Sequence, residues 1–163
     1  MWVNLNDVIY ASSITTDTGT AEKSIEDVTL QLTSGLIWLF EIDFPPGCCG
    51  LLHVQIFDGL YQVLPASVGE SMHGDAVTMR FDDLYFKTAA PHELKLRTWN
   101  EDNTWGHTVQ IRVGMASGEL EMSRYMPGMA WKNFEKLMVE SIVKQEALRQ
   151  LQLAEALKQI TPG

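Results

Sequence analysis

The stretch that most constrains the fold is residues 35–64, where two alternating apolar runs flank a Pro/Gly corner. The apolar series of the first run is Leu36, Trp38, Phe40, Ile42 and Phe44. The residues between them change from apolar (Ile37, Leu39) to acidic (Glu41, Asp43), and the second run repeats the alternation with Leu52, Val54 and Ile56. A period of two with one apolar face is typical of a strand that covers a core. We therefore predict two strands, with each apolar series on its core face.

The sequence also predicts the connections that follow each of these two strands. Pro45 and Pro46 supply no amide donor to a β-ladder and have fixed φ angles, so the first strand must end before them. The chain is expected to turn there towards a facing sheet. Asp58-Gly59 follows the second run, and this pair supplies the positive φ angles that a tight hairpin needs.

The rest of residues 1–118 adds further short strands separated by turn-forming residues. Alternating apolar residues recur within residues 28–32, 77–81, 94–98 and 109–113, and an edge strand is expected at residues 8–10. Residues 12–20 and 66–74 read as polar loops, and residues 82–92 as a broken stretch with a partial strand at 84–86. Seven or eight strands with no intervening helical stripe predict a mainly β protein, an antiparallel β-sandwich of jelly-roll or immunoglobulin-like topology.

Residues 119–163 form a connector and a C-terminal α-helical arm in this interpretation. Residues 129–160 contain no Gly or Pro and are rich in Leu, Ala, Gln, Glu and Lys, which favour helices. A helix of that length spans about 48 Å. A sandwich of this size has a diameter of about 35 Å. One straight helix is therefore expected to extend past the sandwich.

The apolar residues of the arm do not form one stripe. Trp131, Phe134, Met138 and Ile142 share one face, whereas Val143, Ala147, Leu151 and Ala154 lie on another, and Leu153, Leu157 and Ile160 follow a third line. A helix that packs on one sheet needs a single stripe. We therefore expect a protein interface on this arm, at Trp131, Phe134, Met138, Ile142, Leu151 and Leu157. The alternative is a helix that breaks near residue 145 and folds back on its own sandwich.

Charge separates the arm from the body of the chain. Residues 1–126 carry 17 acidic and 7 basic side chains, a net charge of −10, whereas residues 127–163 carry 4 acidic and 5 basic ones, a net charge of +1. An acidic body argues against nucleic-acid binding, which depends on Lys and Arg. The chain also lacks an apolar run of the length that a membrane span requires, so no membrane partner is expected.

Residues that could act in catalysis or bind a metal are present, but not in patterns that define a reaction. The four histidines form no HxH or HExxH arrangement, and the two cysteines are adjacent, at Cys48 and Cys49. The acidic clusters at residues 58, 82–83 and 101–102 match no defined calcium loop. No GxSxG motif and no phosphate-binding loop occurs. We therefore predict no catalytic residues, no metal, no cofactor and no enzymatic activity.

Aromatic residues near strand ends suggest one binding function. Trp99 and Trp105 flank the loop at residues 100–106, and Tyr61 lies beside the predicted hairpin. Exposed aromatic rings on a β-sandwich can stack on sugars, although aromatic residues at strand ends more often cover the core. The sequence thus leaves open a carbohydrate-binding module that uses Tyr61, Trp99 and Trp105.

Two segments, FPPGCCGLLHVQIFDGLYQVLP and ELKLRTWNEDNTWGHTVQIRVG, carry a resemblance over residues 27–115. They resemble small β-sandwich structural proteins of tailed phages and prophages. The resemblance implies a virion location, with assembly in the host cytoplasm, and the role of a capsid accessory or cement protein. The expected partners are copies of the chain itself, with a trimer favoured, and a major capsid or other virion protein. The resemblance assigns no functional residues, and it does not cover the C-terminal arm.

Overall fold

A computed structural model describes residues 7–20, 27–117 and 131–160. The described elements are β1 (Asp7–Thr16), β2 (Val28–Gln31), β3 (Gly35–Phe44), β4 (Leu52–Asp58), β5 (Tyr61–Leu64), β6 (Met72–His73), β7 (Val77–Lys87), β8 (Glu93–Asn100), β9 (His107–Ala116) and the helix α1 (Trp131–Ile160). The prediction of a mainly β chain with antiparallel sheets and a C-terminal helix is confirmed. Helix α1 continues without a break through residue 145, so the alternative of a helix broken there is wrong.

The strands form two antiparallel sheets in a sandwich-like arrangement. The first sheet has the order β1-β9-β3-β7, and the second has the order β2-β8-β4-β5, with β6 paired to β4. Apolar side chains from both sheets meet in one core, including Phe40 and Ile111 from the first and Val54 and Leu96 from the second. The last strand, β9, lies between β1 and β3 rather than at an edge.

The two connections predicted around β3 and β4 are present. The corner after β3 carries the chain from the first sheet into the second, and Gly47 there has a positive φ of 90°. The carboxylate of Asp75 accepts hydrogen bonds from the backbone N–H groups of Gly47 and Cys49, at 2.7 and 3.2 Å. The predicted hairpin between β4 and β5 is present one residue later than expected: Asp58 ends β4 and pairs with Tyr61, and the turn residues are Gly59, at a φ of 62°, and Leu60.

Two predicted loops belong to strands instead. Residues 12–16, predicted as loop because of their Ser and Thr content, complete β1, where Ile14 is buried and Thr15 Oγ1 lies 2.9 Å from Thr108 Oγ1 on β9. Residues 82–87, predicted as a broken stretch, complete β7 along β3. In both cases pairing with a neighbouring strand outweighs the local preference for turns.

A β-bulge at the start of β3 changes which residues face the core. The register of β3 shifts between Ile37 and Leu39 against both of its neighbours, β7 and β9. Ile37 therefore joins Phe40 in the main core, whereas Leu36 lies in a separate outer cluster with half-buried Trp38. The prediction that Leu36 and Trp38 share the core face of Phe40 is wrong, because one extra residue reverses the alternation.

Candidate functional site

Helix α1 packs on the outer face of the first sheet, at the end where β3 is apolar on both sides. The outer cluster contains buried Leu36 and Ala116, with Trp38, Phe86 and Met138 packed against them. Further along the same face, Glu41 of β3 and Arg112 of β9 form an ion pair at 2.6 Å. The change from apolar to charged residues along β3 thus restricts the helix to one end of this sheet.

The bulged tryptophan forms part of the surface beneath the helix. A Cβ atom added at Gly114 on β9 would lie 2.8 Å from ring atoms of Trp38, closer than real Cβ contacts. Glycine at position 114 therefore lets the Trp38 ring lie directly on the backbone of β9. This ring and Phe86 give Met138 of the helix an apolar surface to contact.

One polar side chain ties the helix to the end of β7. The side-chain amide of Gln145 donates to the carbonyl oxygen of Phe86, and its oxygen accepts from the backbone N–H of Ala89 at 3.4 Å. Phe86 pairs with Leu36 near the end of β7, and Ala89 lies two residues past that strand, so Gln145 bonds the helix to the backbone where β7 ends. This contact was not predictable from the sequence, because a Gln in a helix usually faces water.

A groove of about 410 Å³ lies between α1, the β4–β5 hairpin and the end of β7. Its apolar lining consists of Leu60, Tyr61, Leu84, Tyr85, Phe86, Ala89, Leu148 and Leu153. The helix also contributes two basic residues to the lining, Lys144 and Arg149.

Asp58, Tyr85 and Lys87 form a buried polar network in the lining of this groove. Lys87 is fully buried, and its Nζ lies 2.6 Å from Asp58 Oδ1. The other carboxylate oxygen of Asp58 accepts a hydrogen bond from the Tyr85 hydroxyl at 2.9 Å. Burial, together with the negative charge of Asp58, raises the pKa of the Tyr85 hydroxyl well above its ordinary value. The network therefore joins the hairpin to β7 across the two sheets.

The side of α1 that points away from the sandwich is exposed and carries a row of apolar residues among the polar residues Lys136, Glu140 and Gln150. Val143 is 60% exposed and Leu151 is 63% exposed, and Val139, Ala147 and Ala154 are also exposed. The groove-lining residues, such as Gln145 and Gln152, lie on the opposite side of the helix. The helix thus buries one stripe against its own sandwich and leaves a second one uncovered by the described residues.

Of the six residues predicted for an interface, three have side chains that the structure describes. Met138 and Ile142 are half-buried, Met138 within the outer cluster, whereas Leu151 is exposed. The side chains of Trp131, Phe134 and Leu157 lie outside the described residues. The first predicted stripe therefore contacts the chain's own sandwich at Met138, and the second contains the exposed Leu151.

The three residues predicted for sugar stacking do not come together. Trp99 is only 6% exposed and stacks on His53, with ring centroids 4.7 Å apart. Tyr61 pairs with Asp58 at the far end of β4, whereas Trp99 pairs with His53 near its start. Five residues of a strand span about 16 Å. Trp105, at 68% exposure, is thus the one ring of the three that offers an open face at the β8–β9 end.

The loop that carries Trp105 is held by polar contacts. Asp102 accepts hydrogen bonds from the backbone N–H groups of Thr104 and Trp105, at 2.7 and 3.2 Å, and its other oxygen lies 2.9 Å from His107 Nε2. The Thr104 hydrogen bond, supported by His107, holds the pKa of Asp102 below its ordinary value. The side chain of Asn100 donates to the Trp105 carbonyl oxygen at 2.8 Å. These acidic and amide groups stabilise the turn.

Within residues 7–20, 27–117 and 131–160, no three His, Cys, Asp or Glu side chains are placed so that they could hold a metal ion. Cys48 is buried, with its Sγ 2.9 Å from the carbonyl oxygen of Gly74, whereas Cys49 is exposed. Burial raises the pKa of the Cys48 thiol. No helix in the described part of the chain is both long and apolar enough to cross a bilayer.

No family model matches the chain, and no curated protein and no solved structure is similar to it. The resemblance to structural proteins of tailed phages therefore stays a prediction.

Proposed function

We propose that this protein is a non-enzymatic virion structural protein, a capsid accessory or cement protein that assembles with copies of itself and docks on a major capsid or other virion protein. The observation that carries the proposal is the exposed row of apolar residues on α1, which includes Val143 and Leu151, on the side away from the sandwich. A surface helix of a monomer has one apolar stripe. A second exposed stripe is typical of a surface that binds another protein.

Charge supports the same proposal. The body of the chain, residues 1–126, has a net charge of −10, whereas residues 127–163 have a net charge of +1. Acidic surfaces of neighbouring subunits repel one another. The weakly basic arm is the part of the chain that can approach an acidic neighbour at the lowest electrostatic cost, so it suits a role in assembly.

We further propose that the sandwich is a jelly roll. The strand orders β1-β9-β3-β7 and β2-β8-β4-β5, with β6 paired to β4, support this topology, because the chain changes sheet at every step except from β4 to β5 and from β5 to β6. An immunoglobulin sandwich instead joins several consecutive strands within one sheet. Jelly rolls occur in viral capsids and in lectins, so the topology is compatible with the assembly function without specifying it.

The virion proposal is tested on particles. Virions from the host that carries this gene should contain the protein in many copies per particle, which quantitative mass spectrometry of purified particles measures. Purified full-length protein added to particles that lack it should co-sediment with them. Leu151→Glu is expected to weaken this binding, whereas Val68→Glu, on a loop residue that is 87% exposed, should leave it unchanged. Absence of the protein from purified virions would contradict the proposal.

One observation favours a second candidate, a carbohydrate-binding module. Trp105 presents an exposed ring on a loop that Asp102 and Asn100 hold in place, which lowers the entropic cost of stacking on a sugar. On a glycan array, this candidate requires binding that Trp105→Ala abolishes. Tyr61→Ala is the control, because Tyr61 lies at the other end of β4. Binding that survives Trp105→Ala, or no binding at all, rules the candidate out.

A further inference from the structure

We propose that α1 pairs with the α1 helix of a second copy through one exposed ridge, here called the outer ridge: Val139, Val143, Ala147 and Leu151. This inference rests on the proposed function, since it names the first partner of the assembling arm. It commits to a two-fold contact in which each copy contributes the same residues.

The outer ridge is continuous and faces away from the sandwich. Its members are four residues apart, all four are exposed, and Val139 and Val143 are each 60% exposed. Successive residues turn by about 100° around a helix axis, so Val143 lies about 200° from Gln145, which bonds to Phe86. The contact with the sandwich therefore leaves the outer ridge free to meet another helix.

The spacing of the ridge determines how two copies can pack. Rows of residues four apart interdigitate with the same rows of a second helix at a crossing angle of about −50°. Ala147 lies near the middle of the ridge, and its small side chain allows the two axes to approach there. With the two-fold axis at Ala147, Val143 of one copy faces Leu151 of the other, whereas Val139 lies opposite position 155, outside the ridge.

The charges next to the ridge are compatible with this pairing. In the arrangement centred on Ala147, Lys144 lies opposite Gln150 and Glu140 lies opposite Ala154, so within residues 140–154 no like charges meet across the axis. Lys136 and Glu140 form an ion pair on the same helix, at 3.8 Å. The acidic sandwiches, by contrast, repel one another, so helix-to-helix contact is the approach of two copies that meets the least electrostatic opposition.

The test measures the self-association of the full-length chain by sedimentation equilibrium, with three variants and one control. Val143→Glu and Leu151→Lys should each raise the dissociation constant of the dimer by about 100-fold, because the two-fold axis brings each substitution into the interface twice. The double variant Val143→Glu/Leu151→Lys should recover to within about 10-fold of the wild type, because each new Glu then faces a new Lys. Val68→Glu makes the same chemical change at an exposed loop valine and should have no effect.

The substitutions are not expected to unfold the helix, because Val143 and Leu151 are exposed, Glu is a better helix former than Val, and Lys and Leu have similar helix propensities. Circular dichroism of each variant checks that the helix is retained. A wild-type chain that stays monomeric at about 100 μM overturns the inference. A dimer that Val143→Glu leaves intact also overturns it, since the contact then lies elsewhere.

The inference and the proposed function fail in different ways. A monomer in solution that is present in purified virions removes the two-fold helix pairing and keeps the virion role. A dimer that responds to the ridge variants as expected, but is absent from virions, keeps the pairing and removes the virion role.

Discussion

The buried ion pair between Asp58 and Lys87 allows a quantitative test of how the groove is held together. The Lys87 side chain is 1% exposed and that of Asp58 is 11% exposed, with 2.6 Å between Nζ and Oδ1. Removing one partner of a buried pair leaves a charge without compensation, at a cost of about 3–5 kcal/mol. We expect Asp58→Asn to lower the free energy of unfolding by this amount. Asn is chosen because it also suits the hairpin turn before Gly59.

Replacing Lys87, the other partner of the ion pair, should lower the free energy of unfolding by less. Lys87→Met fills the buried position with an apolar chain and leaves Asp58 hydrogen-bonded to the Tyr85 hydroxyl. We expect a loss of about 1–3 kcal/mol. The double variant Asp58→Asn/Lys87→Met leaves neither charge buried. Its loss of unfolding free energy should therefore be at least about 1 kcal/mol smaller than the sum of the losses in the two single variants.

Urea unfolding followed by tryptophan fluorescence measures these differences, with equal m-values for all variants as the condition for comparison. Asp27→Asn is the matched control, because Asp27 pairs with Arg97 at 2.8 Å in a more exposed setting. Such a pair contributes at most about 1 kcal/mol. The reasoning is refuted if Asp58→Asn costs no more than this control, or if the effects of Asp58→Asn and Lys87→Met simply add.

Three further measurements test other parts of the structure. Gly114→Ala adds a methyl group against the Trp38 ring and should reduce the unfolding free energy by about 1–3 kcal/mol in the same urea assay; an unchanged midpoint would contradict the tight contact. Iodoacetamide should modify exposed Cys49 rapidly in the native protein and buried Cys48 only on unfolding, because burial raises the Cys48 pKa and lowers its thiolate fraction; equal native rates would contradict this. The pKa of Asp102 in the folded protein lies below its ordinary value of 3.8, so the unfolded state binds more protons at acidic pH. The stability that the ionised Asp102 contributes is therefore lost as the pH falls through the folded pKa. In a plot of the urea midpoint against pH, Asp102→Asn should make the decline at acidic pH less steep, and an unchanged decline would contradict the assignment.

Local sequence patterns predicted much of the fold, because strand alternation and turn chemistry are properties of neighbouring residues. The corner after β3 and the Asp58-Gly59 hairpin followed from Pro and Gly alone. The face of Trp38 did not, because a bulge depends on how β3 pairs with two other strands and not on β3 itself. The same holds for residues 12–16, whose Ser and Thr content indicates a loop until the pairing with β9 is known.

The candidate site was less accessible to sequence reasoning, for a physical reason. The separate stripes of α1 were visible as spacing, but which stripe binds the sandwich depends on Met138 meeting the outer cluster. The link between Gln145 and β7, and that between Asp58 and Lys87, join residues far apart in the chain. The sequence feature that best indicated the helix contact was the apolar pair Ile37 and Leu39, which makes the start of β3 apolar on both faces.

The central position of β9 affects how the protein is made. Since β9 inserts between β1 and β3, a growing chain leaves both of those strands without their shared neighbour until residue 116 has been synthesised. Partners so distant in sequence slow the folding of β proteins to about milliseconds to seconds. Unpaired strand margins are prone to aggregate during that interval. The arm can settle on the outer cluster only once Ala116 is in place, so subunits should become competent for assembly late, after the body has formed.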